Sequence, residues 1–297
     1  MSQCYNQVWN GGYSSAAERL TVAQDVVGSI PTIRPKIKHH NPCNPPAPVN
    51  QKTEQSSGAP VYVGCSGWAY PTWKPKFYPP QLSSKQFLEF YATRLNTVEV
   101  NYTFRSLPTQ AIVDAWLAQT GPSFRFSFKA PQRITHIKRL KDCPEPLAAF
   151  ADAIRPVIRA KHIGLVLFQL PPNMKADHDR LTAFLRDAKK LKLRMAFEFR
   201  HPSWFDAATY RILEKNKAAL CVAESDELET PDVTTAPFSC YRLRKSKYSK
   251  ARLAALAEHL ARLSERGEVF AYFKHEDEPT GALHATTVLR HLQERAS

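Results

Sequence analysis

Charged side chains interrupt several short apolar runs of this 297-residue chain, and they share one face of each run. In residues 97–101, Glu99 and Asn101 lie on the same face of an extended chain, because successive side chains of a strand point to opposite sides. The two valines between them lie on the other face. A polar face of this kind can hold a buried ion network or line a pocket. The same alternation selects Ser127, Lys129, Gln169, Glu198, Arg200, Arg242, Arg244 and Lys274.

Paired charges are expected on this face, because an isolated buried ion is costly even after the protein relaxes around it. We therefore expect Glu99 and Glu198 to meet basic side chains. Two interpretations stay open: a network of salt bridges that fixes the fold, or a pocket with an excess of positive charge. Perturbed ionisable groups gather at functional sites, which favours the pocket. The candidate partners are Lys129, Arg200, Arg242 and Lys274.

Aromatic residues follow some of the apolar runs directly. Trp68 comes soon after the first run, and Trp204, with His201 before it, comes soon after the fifth. Aromatic rings on loops can stack on bases or sugars, or they can form a hydrophobic lid. Both roles stay open for these side chains.

The segments after the last two runs carry further candidate groups. Residues 242–250 read RLRKSKYSK, and arginine forks suit phosphate oxygens, although a solvated basic loop is the alternative. His275 precedes Glu276 and Asp277 after the eighth run, a combination that could transfer protons or bind metal. Adjacent side chains point in different directions, so we predict no metal site here.

The elements that must position these groups alternate between two patterns. Eight apolar runs predict strands, and apolar residues spaced three and four apart predict helices between them. Such alternation favours a closed parallel (β/α)8 barrel of the TIM type, with an open doubly wound sheet as the alternative. The polar residues come late in their strands, at the end where barrel enzymes build their sites. The predicted strands are 61–65, 97–101, 124–129, 163–169, 193–199, 218–223, 238–244 and 268–274, and the predicted helices are 84–94, 109–118, 145–161, 177–190, 206–216, 249–266 and 281–294.

Composition limits the partners and the compartment. A formal net charge of +14 favours acidic partners such as nucleic acid or phosphorylated small molecules, and a merely soluble basic surface is the alternative. No apolar run is long enough to span a bilayer, and no secretory signal or obvious protein-docking motif is present. Six scattered cysteines fit a reduced cytoplasmic protein. No GxGxxG or GxxxxGK motif indicates a nucleotide, so the cofactor is left unknown.

The first sixty residues differ from the rest. They are rich in Pro, Ser, Asn and Gln, so we expect residues 1–60 to be a disordered extension and residues 61–297 to form the barrel domain. A second hypothesis is that the start is mis-assigned. The next methionine after Met1 is Met174, so a start near Val61 would need a non-ATG codon.

Several ordered motifs extend from about Val61 to Leu292. They are VGCSGWAYPTWKPKFYP, LNTVEVNYTFRSLP, FSFKAPQRITHIKRL, LFQLPP, AFEFRHPSWF and YFKHEDEPTGALHA. With these motifs the chain resembles the YecE-like family (DUF72, a domain of unknown function). The resemblance implies a cytosolic TIM-type barrel without an established reaction. Cys65 stands where the family usually has threonine, and Lys274 with the three residues after it replaces a frequent Asn-Asn-Asp ending.

Our leading hypothesis is a barrel that binds or acts on a phosphate-bearing substrate, above all nucleic acid, and whether it is an enzyme stays open. By analogy of fold it would be a phosphodiester hydrolase, with Glu198 or Glu99 as general base and the arginines on phosphate. A sugar or sugar-phosphate enzyme and a non-catalytic binding protein are the alternatives. The predicted catalytic set is Glu99, Lys129, Glu198 and His275, and the predicted substrate-binding set is Trp68, Asn101, Gln169, Arg200, His201, Trp204, Arg242, Arg244 and Lys274.

Overall fold

Eight parallel strands close into a barrel in which each strand is hydrogen-bonded to its neighbours in chain order, and β8 returns to β1. This computed structural model describes residues 58–225, 228–245, 247–274 and 278–296. The closed barrel confirms the predicted fold class, and each strand lies within two residues of its predicted bounds. The strands are β1 (Val61–Cys65), β2 (Thr97–Val100), β3 (Arg125–Lys129), β4 (Ile163–Gln169), β5 (Met195–Glu198), β6 (Ala219–Glu224), β7 (Phe238–Leu243) and β8 (Glu268–Phe273).

Helices cover the outside of the barrel, and side chains at their first residues fix where several of them begin. Asp177 and Ser249, for example, accept hydrogen bonds from backbone amides of the first helical turn, which would otherwise lack a partner. The helices are α1 (Phe87–Ala92), α2 (Gln110–Ala118), α3 (Pro144–Ala153), α4 (Arg155–Arg159), α5 (His178–Ala188), α6 (Ala207–Lys215), α7 (Lys250–Ser264) and α8 (Thr280–Ala296).

One predicted helix is two. Residues 145–161 divide into α3 and α4, with Ile154 between them at φ −98° and ψ 2°. Pro156 stands in the first turn of α4, where its missing N–H costs nothing, but it could not continue α3 because its ring would clash with the preceding turn. The prediction of a single long helix is wrong for this reason.

The two faces of the strands form two separate apolar groups. The outward face packs under the helices, as Val98 and Val100 of β2 do. The inward face fills the barrel with large side chains, and the ring of Tyr62 stacks on Phe270 with 4.8 Å between centroids. Above them Tyr272 donates a hydrogen bond of 2.6 Å to Ser127. Polar groups therefore begin in the middle of the barrel and dominate at the carboxyl ends of the strands.

The predicted extension lies almost wholly outside the described residues, since the description begins at Gly58. Ala59 donates its amide to the carbonyl of Ser264 at 2.8 Å, and the carbonyl of Pro60 accepts from Val269 at 3.1 Å. These bonds tie the residues just before β1 to the barrel. The domain boundary at 60/61 stays a prediction. Among the described helices, none combines the length and apolar character that crossing a bilayer requires.

Candidate functional site

Arg242 is the centre of the polar layer at the carboxyl ends of the strands. It belongs to β7, is 1% exposed, and is among the largest fully buried side chains described. Its Nε donates to Glu99 Oε2 at 2.9 Å, its Nη2 donates to Glu99 Oε1, and its Nη1 donates to Glu198 Oε2. Burial alone would lower the pKa of Arg242, but Glu198 and Glu99 outweigh it and raise the pKa well above its usual range. The expected meeting of both carboxylates with a basic side chain is therefore present.

Glu198, at the end of β5, is surrounded by donors. Gln169 Nε2 lies 2.9 Å from both carboxylate oxygens, and Arg200 Nε donates to Oε1 at 3.2 Å. Burial would raise the pKa of Glu198, but Arg242, then Arg244 and Arg200, hold it well below its usual range. A carboxylate held so firmly in its charged form is a weak base.

Glu99 is engaged in another way, by the two parallel hydrogen bonds from Arg242. Such a bidentate pair occupies both carboxylate oxygens and fixes their orientation. Both Glu99 and Glu198 therefore hold arginine in this structure, and the general-base role of either carboxylate stays a prediction.

Two further arginines give the layer more positive than negative charge. Arg244 follows β7 directly, and its Nε is buried without a hydrogen-bond partner among the described residues. Burial, and next the charge of Arg242, lower the pKa of Arg244 to about 10. The side chain of Arg200 is 37% exposed, so its guanidinium faces solvent at the mouth of the barrel, the opening at the carboxyl ends of the strands. Three arginines thus meet two carboxylates, which leaves a site suited to an anion.

Lys129 ends β3 and is half-buried in the same layer. Its Nζ lies 3.9 Å from the centroid of the Phe104 ring. Burial and the charge of Arg242 lower the pKa of Lys129 to about 7, although Glu99 and Glu198 act in the opposite direction. This amine is therefore partly neutral near pH 7.

Asn101 and Lys274 lie at the ends of β2 and β8, the two strands that flank β1. Asn101 follows β2 and donates through Nδ2 to the carbonyl of Ser66 at 3.0 Å, while its Oδ1 is buried without a partner among the described residues. Lys274 follows β8, and its amide donates to the carbonyl of Leu243 at 2.9 Å. His275, a predicted catalytic residue, lies outside the described residues.

The predicted aromatic residues separate into two environments. Trp68 is half-buried after β1, with its ring 5.7 Å from Trp116 in an edge-on contact. Trp204 is 0% exposed, stacks on Phe199 at 4.5 Å, and donates through its indole N–H to the carbonyl of Met174. Because no face of this indole is accessible, its predicted role in stacking on a base or sugar is corrected to a core role.

His201 serves a local purpose in the loop after β5. Its Nδ1 accepts a hydrogen bond of 3.2 Å from the amide of Ser203 and lies 2.8 Å from the Ser203 hydroxyl. These contacts cap the short helical turn Pro202–Trp204. The ring therefore orders the loop beside Arg200, and substrate binding by His201 stays a prediction.

Two residues of the site were missed by sequence reasoning. The ring of Phe104, in the short turn after β2, covers the amine of Lys129. The ring of His136 packs edge-on against the Phe104 ring, with 5.0 Å between the centroids. Burial, with Lys129 and Arg200 nearby, lowers the pKa of His136 to about 4. The available signal was that both residues lie in loops directly after strands whose ends carry polar groups. In the described part of the chain, no three His, Cys, Asp or Glu side chains gather as a metal site would require.

Comparison with known proteins identifies the family. Residues 62–297 match the family described as "Protein of unknown function DUF72". The chain belongs to this family. It is 33% identical to the UPF0759 protein YecE of Escherichia coli strain K12 over 146 residues, which is 49% of this chain and 50% of that protein. It is 28% identical to the UPF0759 protein YunF of Bacillus subtilis over 156 residues, 50% of this chain and 54% of that protein.

Solved structures of DUF72 proteins share the barrel. A DUF72 family protein from Thermotoga maritima superposes with a TM-score of 0.68 at 27% identity, covering 78% of this chain and 99% of that one. A DUF72 family protein from Enterococcus faecalis gives a TM-score of 0.67 at 18% identity, covering 78% and 95%. The chain spans about half the length of the curated relatives it matches, so sequence similarity to them does not assign an activity.

Proposed function

We propose that this DUF72 barrel binds a phosphate-bearing substrate at its mouth, and that nucleic acid is the leading candidate. The observation that carries the proposal is the state of Arg244, whose buried Nε has no partner among the described residues. The two carboxylates of the layer do not accept from this atom, because their described hydrogen bonds come from Arg242, Gln169 and Arg200.

The charge of the mouth supports the same proposal. Arg200 reaches solvent beside Arg244, and the charges of both arginines act on Glu198. Guanidinium groups donate two parallel hydrogen bonds to phosphate oxygens, which suits them to phosphate better than to a neutral ligand. An anion bound here would relieve the repulsion among Arg200, Arg242 and Arg244.

Nucleic acid is tested by the salt dependence of binding. The whole chain should bind a single-stranded DNA oligonucleotide with an affinity that falls steeply with salt. Arg244→Gln should weaken binding and reduce the slope of log affinity against log salt by about 0.7, the contribution of one phosphate contact on a single strand. Arg186→Gln is the matched control, because this arginine is 76% exposed on α5 and lies outside the mouth. Binding that is absent or insensitive to salt would remove nucleic acid from the proposal.

A sugar phosphate is the second candidate, favoured by the recessed position of the Arg244 Nε atom. A small phosphate group can reach a buried donor more readily than the backbone of a duplex can. Ribose 5-phosphate should then raise the thermal unfolding midpoint, while ribose should not, and Arg244→Gln should remove the shift.

We also propose that the protein is cytoplasmic. The four described cysteines, Cys65, Cys143, Cys221 and Cys240, are all unpaired thiols, which is usual in a reducing compartment.

A further inference from the structure

The Nζ atom of Lys129 has no ion pair or hydrogen bond among the described residues, and the contact described for it is the Phe104 ring, 3.9 Å from the ring centroid. We propose that Lys129 is a nucleophilic amine that attacks the carbonyl carbon of an anionic aldehyde or ketone and forms an imine with it. The requirement for an anionic group rests on the proposed function above, whereas the role of the amine does not.

Among the described residues the amine has no carboxylate partner, because Glu99 and Glu198 are already engaged by other donors. Glu99 is held by two hydrogen bonds from Arg242, and Glu198 accepts from Arg242, Gln169 and Arg200. An ordinary buried lysine would form a salt bridge with one of them. The Lys129 amine instead lies near the guanidinium groups of Arg242 and Arg244. Because like charges repel, this arrangement favours the uncharged form of the amine.

The charged and titratable groups that face Lys129 come from several elements. The groups are Glu99 on β2, Glu198 on β5, Arg242 on β7, Arg244 directly after β7, and His136 in the turn after β3. Burial and Arg242 prevail over the two carboxylates and bring the pKa of Lys129 to about 7. About half of the amine is then neutral at pH 7, against on the order of one part in a thousand for a lysine of usual pKa. The neutral amine is the nucleophile.

The surroundings of the amine suit addition to a carbonyl group. The Phe104 ring lies 3.9 Å from Nζ and keeps water from one side of it. His136, packed against Phe104 at 5.0 Å, has a pKa of about 4 and is neutral at pH 7. The partly exposed guanidinium of Arg200 and the unpartnered Nε of Arg244 supply donors for the anionic group of the same substrate.

The reaction balances without an oxidant or a reductant. The lone pair of the amine forms a nitrogen–carbon bond, the carbonyl oxygen takes up a proton, and the nitrogen loses one, which gives a carbinolamine. The hydroxyl group then leaves as water with a second proton, and the nitrogen loses its remaining proton when the neutral imine forms. One water is released for each imine, and hydrolysis of the imine consumes it again. Solvent at the mouth carries the protons.

Two sources can supply this substrate chemistry. A small sugar phosphate carries an aldehyde or ketone a few bonds from its phosphate. An abasic nucleotide in a DNA strand also carries an aldehyde, in its ring-opened form, between two phosphates. Both present a carbonyl carbon to the amine and phosphate oxygens to arginine.

Trapping the imine by reduction tests the proposal on the whole 297-residue chain. The chain is incubated at pH 7 with glyceraldehyde 3-phosphate and sodium cyanoborohydride, and modified lysines are located by peptide mass. Lys129 should be modified at least tenfold faster than Lys85, which is exposed in the turn before α1. The rate at Lys129 should rise through pH 7 and level off by about pH 8.5, since little protonated amine then remains.

The variants and the matched probes separate the possible failures. Lys129→Arg keeps the charge and should abolish the modification at this site, while Lys85→Arg should leave it unchanged. Equal modification of Lys129 by glyceraldehyde and its phosphate would support the nucleophile and overturn the anion site. Modification of Lys129 no faster than Lys85 by either probe would overturn the nucleophile, and this comparison within the unmodified chain does not depend on how a variant folds.

A third probe identifies the source. An oligonucleotide with an abasic site that is trapped at Lys129 faster than glyceraldehyde 3-phosphate supports nucleic acid as the substrate. Slower trapping supports a sugar phosphate. Either result supports the nucleophilic amine, and trapping of neither probe at Lys129 overturns it.

Discussion

Arg242 and Glu99 form a bidentate ion pair across the interior of the barrel. They are separated by 143 residues in sequence, and they belong to β7 and β2, which are not neighbours in the sheet. The pair therefore spans the interior of the barrel above the apolar layers and links β2 to β7. Glu198 joins the same guanidinium from β5, so one arginine connects three strands.

Removal of Arg242 should destabilise the barrel more than removal of an exposed arginine. Arg242→Met leaves two buried carboxylates without their main partner, which should cost about 3 to 5 kcal/mol of unfolding free energy. Arg252→Met is the matched control, because Arg252 is 57% exposed where it pairs with Glu224 and should contribute less than about 1 kcal/mol. Urea denaturation at pH 7 measures both. Equal losses would show that the central ion pair has no special weight.

Stability should fall in acid partly because of Glu198. Its pKa in the folded protein lies below the ordinary value of 4.5, so the stabilisation is fully present above about pH 4.5 and is lost as the pH falls toward the folded value. Glu198→Gln should therefore be less stable than the parent protein at pH 7, and the difference should shrink as the pH falls below about 4.5. Urea midpoints from pH 7 to pH 3 test this. Glu145→Gln, a change at a 73% exposed carboxylate, should give a curve parallel to that of the parent.

Lys129 should reduce stability at neutral pH. Its pKa is about 7 in the folded protein against an ordinary 10.5, so between these values the unfolded chain binds more protons and stability rises with pH. Lys129→Met should gain about 1 to 2 kcal/mol at pH 6, a value reduced for partial solvent screening. The gain should diminish as the pH rises through 7 toward 10. A gain that stays constant over this range would show that the amine is not perturbed by burial.

The two tryptophans of the loops should respond differently to truncation. Trp204→Ala removes a fully buried ring that stacks on Phe199 and should cost about 3 to 5 kcal/mol. Trp68→Ala, at a half-buried position, should cost less than Trp204→Ala and should weaken binding of the oligonucleotide if its ring contacts ligand. Denaturation and binding measurements on both variants separate the two roles. Equal losses of unfolding free energy in Trp204→Ala and Trp68→Ala would contradict the assignment of Trp204 alone to the core.

The sequence predicted the barrel and the inner face of its strands. The alternation around Glu99, Lys129, Glu198 and Arg242 fixes which side chains share a face, because the period of a strand is two whatever its neighbours are. The order of strands and helices along the chain then indicates a parallel barrel, and the position of the polar residues late in their strands places them at the same end. These conclusions need only local periodicity.

Only the tertiary structure decided which charges pair and which rings are buried. Arg242 binds both carboxylates, and no carboxylate of the described residues pairs with Lys129. This outcome depends on side-chain reach across the lumen, between residues as far as 143 positions apart. Trp68 and Trp204 both follow strands, yet Trp68 is partly exposed, whereas Trp204 lies in the core, where it stacks on Phe199 and donates to the carbonyl of Met174. Spacing along the chain contains no information on such distances. The lowered pKa of the Lys129 amine could therefore be recognised only from the closed barrel.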